Sequence, residues 1–210
     1  MNNENEFNWC EVPFNMLVTG ASDCGKTYYI MNLLEKEFKN KFHHVVILCP
    51  TIEYNRTYQE RDFINKDKNI YTYPPKLVQE NLNGCLEDCI NEFKSQDSQT
   101  LFIVDDCANL WDTKTKCSRL TELAFSGRHI NISVWLLTQK YNAICKDFRE
   151  NIKHLVIHAL NDQNALDQIF KENRCLPHSE KEAAIAHLDA GGKLLLRKNL
   201  PFGFYFFINK

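Results

Sequence analysis

The chain has 210 residues, of which 44% are hydrophobic and 25% charged, the composition of an ordinary globular protein with enough length for a full core. Its net charge of -2 and pI near 6.4 exclude a uniformly basic surface that binds nucleic acid unaided, so any DNA contact needs a local basic loop. Nine cysteines without a C-x-x-C pair predict free thiols in a reducing, intracellular compartment, and no run approaches the ~18 apolar residues of a membrane span.

The amino-terminal segment is polar and acidic, and its first apolar anchors are Phe7, Trp9 and Pro13. Such a segment has too little apolar surface to fold by itself, which predicts a flexible lead-in over residues 1–12. Because no linker or internal repeat divides the rest of the sequence, we predict one folded domain over residues 13–210.

The next segment matches the phosphate-binding loop pattern G-x-x-x-x-G-K-[ST] between Gly20 and Thr27. An apolar run predicted as a strand over 14–19 precedes it, and apolar residues at helical spacing follow it to about residue 40. Glycines let backbone N–H groups point inward at an anion, Lys26 reaches the β- and γ-phosphates, and the Thr27 hydroxyl is a predicted Mg²⁺ ligand. The alternative is a glycine-rich turn that binds nothing. The predicted nucleotide-binding residues are Gly20, Ala21, Ser22, Asp23, Cys24, Gly25, Lys26, Thr27 and Tyr28.

Strands and helices alternate through most of the remaining chain. Further strands are predicted over 45–48, 70–73, 100–104, 132–138 and 155–157, and helices over 58–64, 77–93, 116–124, 165–170 and 180–188. The segments 193–197 and 204–208 predict a β-hairpin within the carboxyl-terminal region 174–210. This order predicts an α/β fold with a mainly parallel sheet, helices on both faces, and a ligand at the carboxyl ends of the strands.

Two carboxylates follow the apolar strand over 100–104. Asp105 is placed to meet Mg²⁺ through water, the Walker B role, and Asp106 is placed to orient or deprotonate an attacking water. Asp106 is one methylene shorter than the commoner glutamate, which shortens its reach. The alternative is a pair of solvated carboxylates in a loop.

Gln139 ends the next predicted strand, where an amide side chain can hold the water or sense the γ-phosphate, with a polar strand cap as the alternative. Arg128 precedes that strand and, in a ring of subunits, can reach a neighbour's phosphate as an arginine finger; by itself it is more typical of a surface arginine. Arg119 and Arg149 are weaker candidates for that role. The rings of Tyr28 and Tyr29 are able to stack on a base, although core packing is the more common use.

The motif order resembles the FtsK–HerA superfamily of DNA-pumping ATPases. Its elements are the loop Gly20–Thr27, the sequence Phe102-Ile-Val-Asp105-Asp106, and a segment from Gly127-Arg128-His129 to Thr138-Gln139. Within the superfamily the chain is most similar to the poxvirus-type genome-packaging ATPases of large eukaryotic DNA viruses and virophages. The resemblance covers residues 13–173. Cys49-Pro50-Thr51 also resembles the family's turn after its second strand, whereas the terminal hairpin has no match.

The resemblance implies a P-loop NTPase fold of the RecA/ASCE type, a three-layer sandwich. It implies an ATP- and Mg²⁺-dependent motor that forms a homo-oligomeric ring, a pentamer or a hexamer, and moves double-stranded DNA into a capsid. Gln139 is then the sensor and Arg128 acts in trans. Capsid portal or vertex proteins are the implied partners, and the host cytoplasm, in viral factories or on virions, is the implied location. Lys114, Lys116 and Arg119 are candidates for the DNA-facing pore, with a solvated charge cluster as the alternative.

Two other functions remain open from the residues alone. A small phosphotransferase, such as a nucleoside kinase, has a chain of this length but needs an arginine-rich or zinc-bound lid, and the sequence has no arginine-rich segment. A nucleotide-dependent assembly switch would bind ATP without hydrolysing it, which leaves the Asp105–Asp106 pair and Gln139 without a purpose.

Overall fold

The computed structural model describes residues 9–107, 110, 118–173, 177–198 and 204–209. The strands are β1 (Met16–Thr19), β2 (His44–Leu48), β3 (Ile70–Thr72), β4 (Thr100–Val104), β5 (Ile132–Thr138), β6 (His154–Ile157), β7 (Lys193–Arg197) and β8 (Phe204–Ile208). The α-helices are α1 (Lys26–Lys36), α2 (Arg56–Gln59), α3 (Asp62–Lys66), α4 (Pro75–Glu80), α5 (Leu82–Phe93), α6 (Arg119–Ser126), α7 (Lys146–Asn151), α8 (Gln163–Glu172) and α9 (Lys181–Asp189).

All of these strands form one sheet in the order β3-β2-β4-β5-β1-β6-β7-β8. The six strands from β3 to β6 run parallel, and β7 and β8 continue the sheet as an antiparallel hairpin. The carboxyl ends of β1, β4 and β5 therefore meet at one edge, where an open parallel sheet binds its ligand. The predicted parallel sheet and terminal hairpin are both confirmed.

Two apolar cores lie on opposite faces of the sheet, because side chains alternate along every buried strand. On β4, Phe102 and Val104 pack into the core that α4 to α9 cover, whereas Leu101 and Ile103 pack into the core beneath α1, α2 and α3. Helices thus cover both faces of the sheet, which confirms the predicted three-layer sandwich. In the described part of the chain, no helix combines the length and apolar character that a membrane crossing requires.

The predicted helix over 77–93 is two helices, and that prediction was wrong. The chain breaks at Asn81, whose side chain accepts a hydrogen bond from the Gly84 amide (2.9 Å) and so caps α5. Apolar residues continue at helical spacing across this break, so the sequence pattern gives no sign of it. The prediction also missed α7. At the amino end of the described residues, the ring of Trp9, one of the predicted apolar anchors, packs against Phe14 and Phe38.

A buried ion pair joins α7 to α8. Arg149 contacts both carboxylate oxygens of Glu172 at 2.6 and 3.0 Å, and Tyr141 and Gln168 donate to the same carboxylate. Burial raises the pKa of Glu172, but the hydrogen bonds from these three side chains outweigh burial and lower the pKa to about 2. The pair links two helices that pack on the same face of the sheet.

Breaking this pair is expected to destabilise the fold. Arg149→Ala leaves Glu172 charged and largely buried without its guanidinium partner, with only the hydrogen bonds from Tyr141 and Gln168, which costs about 3 kcal/mol in the free energy of unfolding. Because the folded pKa of Glu172 lies below its unfolded value, its contribution is present above pH 4.5 and is lost as the pH falls towards 2. Urea unfolding at pH 7 and at pH 3 measures both effects.

Lys146→Ala is the matched control, because it breaks the exposed pair between Lys146 and Glu150 on the same helix. We expect it to change stability by less than about 1 kcal/mol. Equal effects of the two substitutions would contradict a special role for the buried pair.

Candidate active site

The phosphate loop folds as a tight turn between β1 and α1. Gly25 caps α1 with φ +85°, a left-handed conformation that favours glycine. A side chain at Gly20 would meet the Cβ of His158 at 2.6 Å and Cys24 Sγ at 2.7 Å. The loop is also tied to the ends of neighbouring strands, since the Ala21 amide donates to the Ala159 carbonyl at 2.8 Å. Gly20 is thus needed for close packing, and Gly25 for its backbone conformation.

Lys26 is buried and its side chain curls back over the loop. Its ammonium donates to the carbonyls of Gly20 (3.0 Å) and Ala21 (2.6 Å), and it lies 3.8 Å from Cys24 Sγ. These partners are uncharged, and a phosphate oxygen is a stronger acceptor for an ammonium group. The loop therefore holds a cation inside the anion-binding turn.

His158 supports the loop from the end of β6. Its Nδ1 donates to the Cys24 carbonyl at 2.9 Å, and burial lowers the pKa of His158 to about 4, so the ring stays neutral at physiological pH. With the ring neutral, the positive charges near it are those of Lys193 and Lys26.

Asp105 lies at the end of β4 with only 5% of its surface exposed. One of its oxygens accepts two hydrogen bonds, from the Thr27 hydroxyl at 2.8 Å and from the Tyr58 hydroxyl at 2.9 Å. Burial raises the pKa of Asp105, and the hydrogen bonds from Thr27 and Tyr58 oppose that rise. A carboxylate and a hydroxyl brought together at a phosphate loop are the hard oxygen donors that suit Mg²⁺.

Asp106 has a different environment from its neighbour. It is exposed, its backbone is left-handed with φ +57°, and its two oxygens accept from Thr51 (3.0 Å) and Gln139 (3.4 Å). Non-glycine residues seldom adopt this conformation, and aspartate tolerates it better than most. The turn places the Asp106 carboxylate between the residues that follow β2 and β5, where Thr51 and Gln139 donate to it.

These residues line one cavity of about 310 Å³, within the size range of small-molecule sites. Lys26 and Thr27 lie on its α1 side, Asp105 and Asp106 at the end of β4, and Gln139 at the end of β5. The sequence predictions for these five residues thus converge on one place. Other lining residues are Ser22, Asp23, Gly25, Tyr28, Thr51, Asn55, Thr57, Leu137 and Thr138.

The arginines predicted for a trans role lie elsewhere. Arg128 is exposed in a 3-10 turn that precedes β5, so it lies at the amino edge of the sheet, opposite to Lys26. Arg149 is committed to the buried pair with Glu172, and Arg119 contacts Glu87 and Glu122. The predicted pore residues Lys114 and Lys116 lie outside the described residues.

Sequence reasoning missed Tyr58 and the site role of Thr51. Both lie in the segment after β2, where polar and aromatic residues follow no period. The Cys49-Pro50-Thr51 turn was recognised only through the family resemblance. Nothing in the local sequence marks Tyr58, which reaches Asp105 from the four-residue helix α2 and packs in the core beneath α1.

Tyr58→Phe is expected to weaken the Mg²⁺ dependence of nucleotide binding. The substitution keeps the buried ring but removes the hydroxyl that fixes Asp105. Because a hydrogen bond to a charged group is lost, we expect the Mg²⁺ affinity to fall about tenfold. Binding of a fluorescent ATP analogue, measured in EDTA and in rising Mg²⁺, separates metal-dependent from metal-independent affinity. Tyr54→Phe, at an exposed tyrosine, is the control. Equal weakening with and without Mg²⁺ would show general disruption instead.

The chain is similar in sequence to DNA packaging proteins of poxviruses. The DNA packaging proteins OPG160 of Variola virus and of Vaccinia virus (strain Copenhagen) are each 31% identical over 153 residues, covering 70% of this chain and 53% of the relative. For OPG160 of Monkeypox virus the identity is again 31%, with 48% of the relative covered. The chain thus spans about half the length of these relatives.

Solved structures with a similar fold include the genome packaging NTPase B204 of Sulfolobus turreted icosahedral virus 2. Its complex with AMP has a TM-score of 0.66 at 16% identity, covering 94% of this chain and 96% of that one. The pCW3 conjugation coupling protein TcpA with ATPgS has a TM-score of 0.54 at 14% identity, covering 92% and 59%. These likenesses concern the fold, and they confirm the predicted P-loop NTPase architecture.

The family model described as Poxvirus A32 protein matches residues 4–187, which is most of the 210-residue chain. The match includes the phosphate loop, the Asp105–Asp106 pair and the strand that ends at Gln139. The resemblance inferred from these motifs is therefore confirmed: the chain belongs to the Poxvirus A32 protein family.

Proposed function

We propose that this protein is an ATP-hydrolysing motor that moves double-stranded DNA into a viral capsid. The observation that carries the proposal is the convergence of the phosphate loop, the Asp105–Asp106 pair and Gln139 on one cavity. Binding alone would need only the loop, whereas two carboxylates with different environments provide separate groups for a metal and for a water. The relatives named DNA packaging proteins support the choice of DNA as the moved substrate.

Each side chain has a role in this proposal. Lys26 exchanges its carbonyl partners for the β- and γ-phosphates, and the loop's N–H groups hold the rest of the phosphate chain. Thr27 and Asp105 hold Mg²⁺, which supplies positive charge beside the phosphates when it is bound. Asp106 receives a proton from the attacking water or orients it, and Gln139, whose amide donates to Asp106, helps to align that water.

The active unit is proposed to be a ring of identical subunits, a pentamer or a hexamer. Arg128 is at the opposite sheet edge from its own phosphate loop, which supports a role at a neighbour's site. The proposed partners are duplex DNA and capsid portal or vertex proteins. The proposed location is the cytoplasm of the infected cell, in viral factories, with virion association as the alternative.

The test is the rate of phosphate release from ATP with and without linear duplex DNA, at several salt concentrations and alongside the oligomer size. We expect Mg²⁺-dependent hydrolysis that DNA stimulates in a salt-dependent way when the ring forms. ATP binding without phosphate release would contradict the motor and favour an assembly switch. Phosphorylation of a nucleoside offered with ATP would favour a phosphotransferase.

A further inference from the structure

A second cavity, of about 360 Å³, lies next to the phosphate loop. It shares Gly25 and Tyr28 with the cavity lined by Asp105, so the two cavities adjoin at the first turn of α1. Its far wall is the terminal hairpin of β7 and β8, and we call it the hairpin cavity. The lining residues used below are Gly25, Tyr28, Tyr29, Asn32, Lys193 and Asn209.

The order of strands gives the direction in which a bound nucleotide runs. The groups suited to the terminal phosphate, Asp105, Asp106 and Gln139, follow β4 and β5 on one side of β1. On the other side of β1 come β6 and then the hairpin. A phosphate chain that starts at the acidic pair and crosses the loop therefore extends towards the hairpin cavity, where the rest of the nucleotide needs room.

The two tyrosines provide a stacking surface at the entrance of this cavity. Tyr28 is 58% exposed, and the Arg61 guanidinium lies over its ring at 5.1 Å while also contacting Asn32 and Glu35. Tyr29 is held by an edge contact with His158 at 5.6 Å and by the Lys193 ammonium over its ring at 5.8 Å. An exposed aromatic ring that is fixed from one side is suited to stacking on a flat ligand with its other side.

Two asparagines add hydrogen-bonding groups to this aromatic surface. The Asn32 side-chain oxygen accepts from Arg61 at 2.7 Å, which leaves its amide nitrogen as a donor, and Asn209 lies on the hairpin side. An asparagine amide offers a donor and an acceptor together, the pair that matches the N6 and N7 edge of adenine. The hairpin end is itself fixed, because His187 Nε2 donates to the Ile208 carbonyl at 3.0 Å.

We propose that the hairpin cavity binds the adenine base of the nucleotide, with Tyr28 as the stacking residue and Asn209 of the hairpin as a residue that selects adenine. This inference rests on the proposed function, since it assigns the base of the same ATP. It gives the carboxyl-terminal hairpin a role in substrate recognition. It also accounts for the two tyrosine rings and the two asparagine amides in the lining of the cavity beside the phosphate loop.

The test compares the binding of ATP, GTP and inorganic tripolyphosphate by titration calorimetry in Mg²⁺. Tyr28→Ala is expected to weaken ATP binding about tenfold, from lost base stacking, and to leave tripolyphosphate binding as in the wild type. The backbone N–H groups and Lys26, which hold phosphates, are retained in that variant. Asn209→Ala is expected to reduce the preference for ATP over GTP about tenfold. Tyr54→Ala, at a tyrosine that lines neither cavity, is the control.

The outcomes separate this inference from the proposed function. Wild-type protein that binds neither ATP nor tripolyphosphate would overturn both. Wild-type protein that binds ATP, with Tyr28→Ala and Asn209→Ala variants that bind ATP and GTP as it does, would overturn only the base site. Equal weakening of ATP and tripolyphosphate by Tyr28→Ala would also overturn it, because the damage would then lie in the phosphate loop. Thermal melting of each variant verifies the fold.

Discussion

Replacing Asp106 with asparagine is expected to lower kcat for ATP hydrolysis by about 10²–10⁴-fold, the usual contribution of a general base. The amide retains hydrogen-bonding capacity towards Thr51 and Gln139, but it takes no proton from water. Asparagine also tolerates the left-handed backbone of this position, so the turn after β4 is preserved. ATP binding in Mg²⁺ should remain close to wild type, because Lys26, Thr27 and Asp105 are untouched. Single-turnover hydrolysis with calorimetric binding measures the two quantities separately.

Two further aspartates make the comparison specific. Asp105→Asn removes the negative charge that would hold the metal. We therefore expect this variant to show weaker Mg²⁺-dependent binding of ATP as well as slower turnover. Asp23→Asn changes an exposed aspartate with the same φ of +57° in the same cavity, but on the phosphate loop. Its effect should fall on ATP affinity, which rises as a negative charge leaves the phosphate region. If Asp23→Asn slowed kcat as strongly as Asp106→Asn, the assignment of the base would be wrong.

The fold could be predicted well because its determinants are local. Runs such as Leu101–Val104 and Ile132–Leu137 are largely apolar, which is typical of strands buried on both faces. Parallel strands bring their carboxyl ends to one edge, so the sequence alone predicts that Asp105 and Gln139 lie close together. The prediction failed where a helix breaks although the apolar spacing continues, as at Asn81, and at short helices with few apolar residues, such as α7.

The site was only partly predictable, for a different physical reason. The phosphate loop and the acidic pair are contiguous in sequence, so their residues carry a pattern. Tyr58 contacts Asp105 through the tertiary packing of α2 against the sheet, and a lone tyrosine in an aperiodic segment has no pattern to detect. The hairpin cavity is similar, since α1 and β8 meet only because the antiparallel hairpin extends the sheet past β6.

Arg128→Ala is expected to lower ATP turnover by about a thousandfold or more in the assembled ring, the size of effect that an arginine finger supplies. Within one chain the seven residues of β5 separate Arg128 from the catalytic edge, a span of about 20 Å, so its own site is out of reach. Adding Arg128→Ala subunits to wild type should therefore reduce activity more than in proportion to their share. Arg119→Ala, which removes an exposed and ion-paired arginine, should cause at most a proportional loss.

Complementation between two inactive variants gives the sharper test of a shared site. Subunits with Lys26→Ala lack the phosphate-binding ammonium but keep Arg128, and subunits with Arg128→Ala keep Lys26. In mixed rings, some sites combine an intact Lys26 with an intact Arg128 from the neighbour, so activity should return although each variant alone is inactive. An arginine that acts within its own chain allows no such recovery, because every site in the mixture would lack one of the two groups. If mixed rings recover no turnover, then either the arginine finger is a residue other than Arg128 or the site is complete within a single chain.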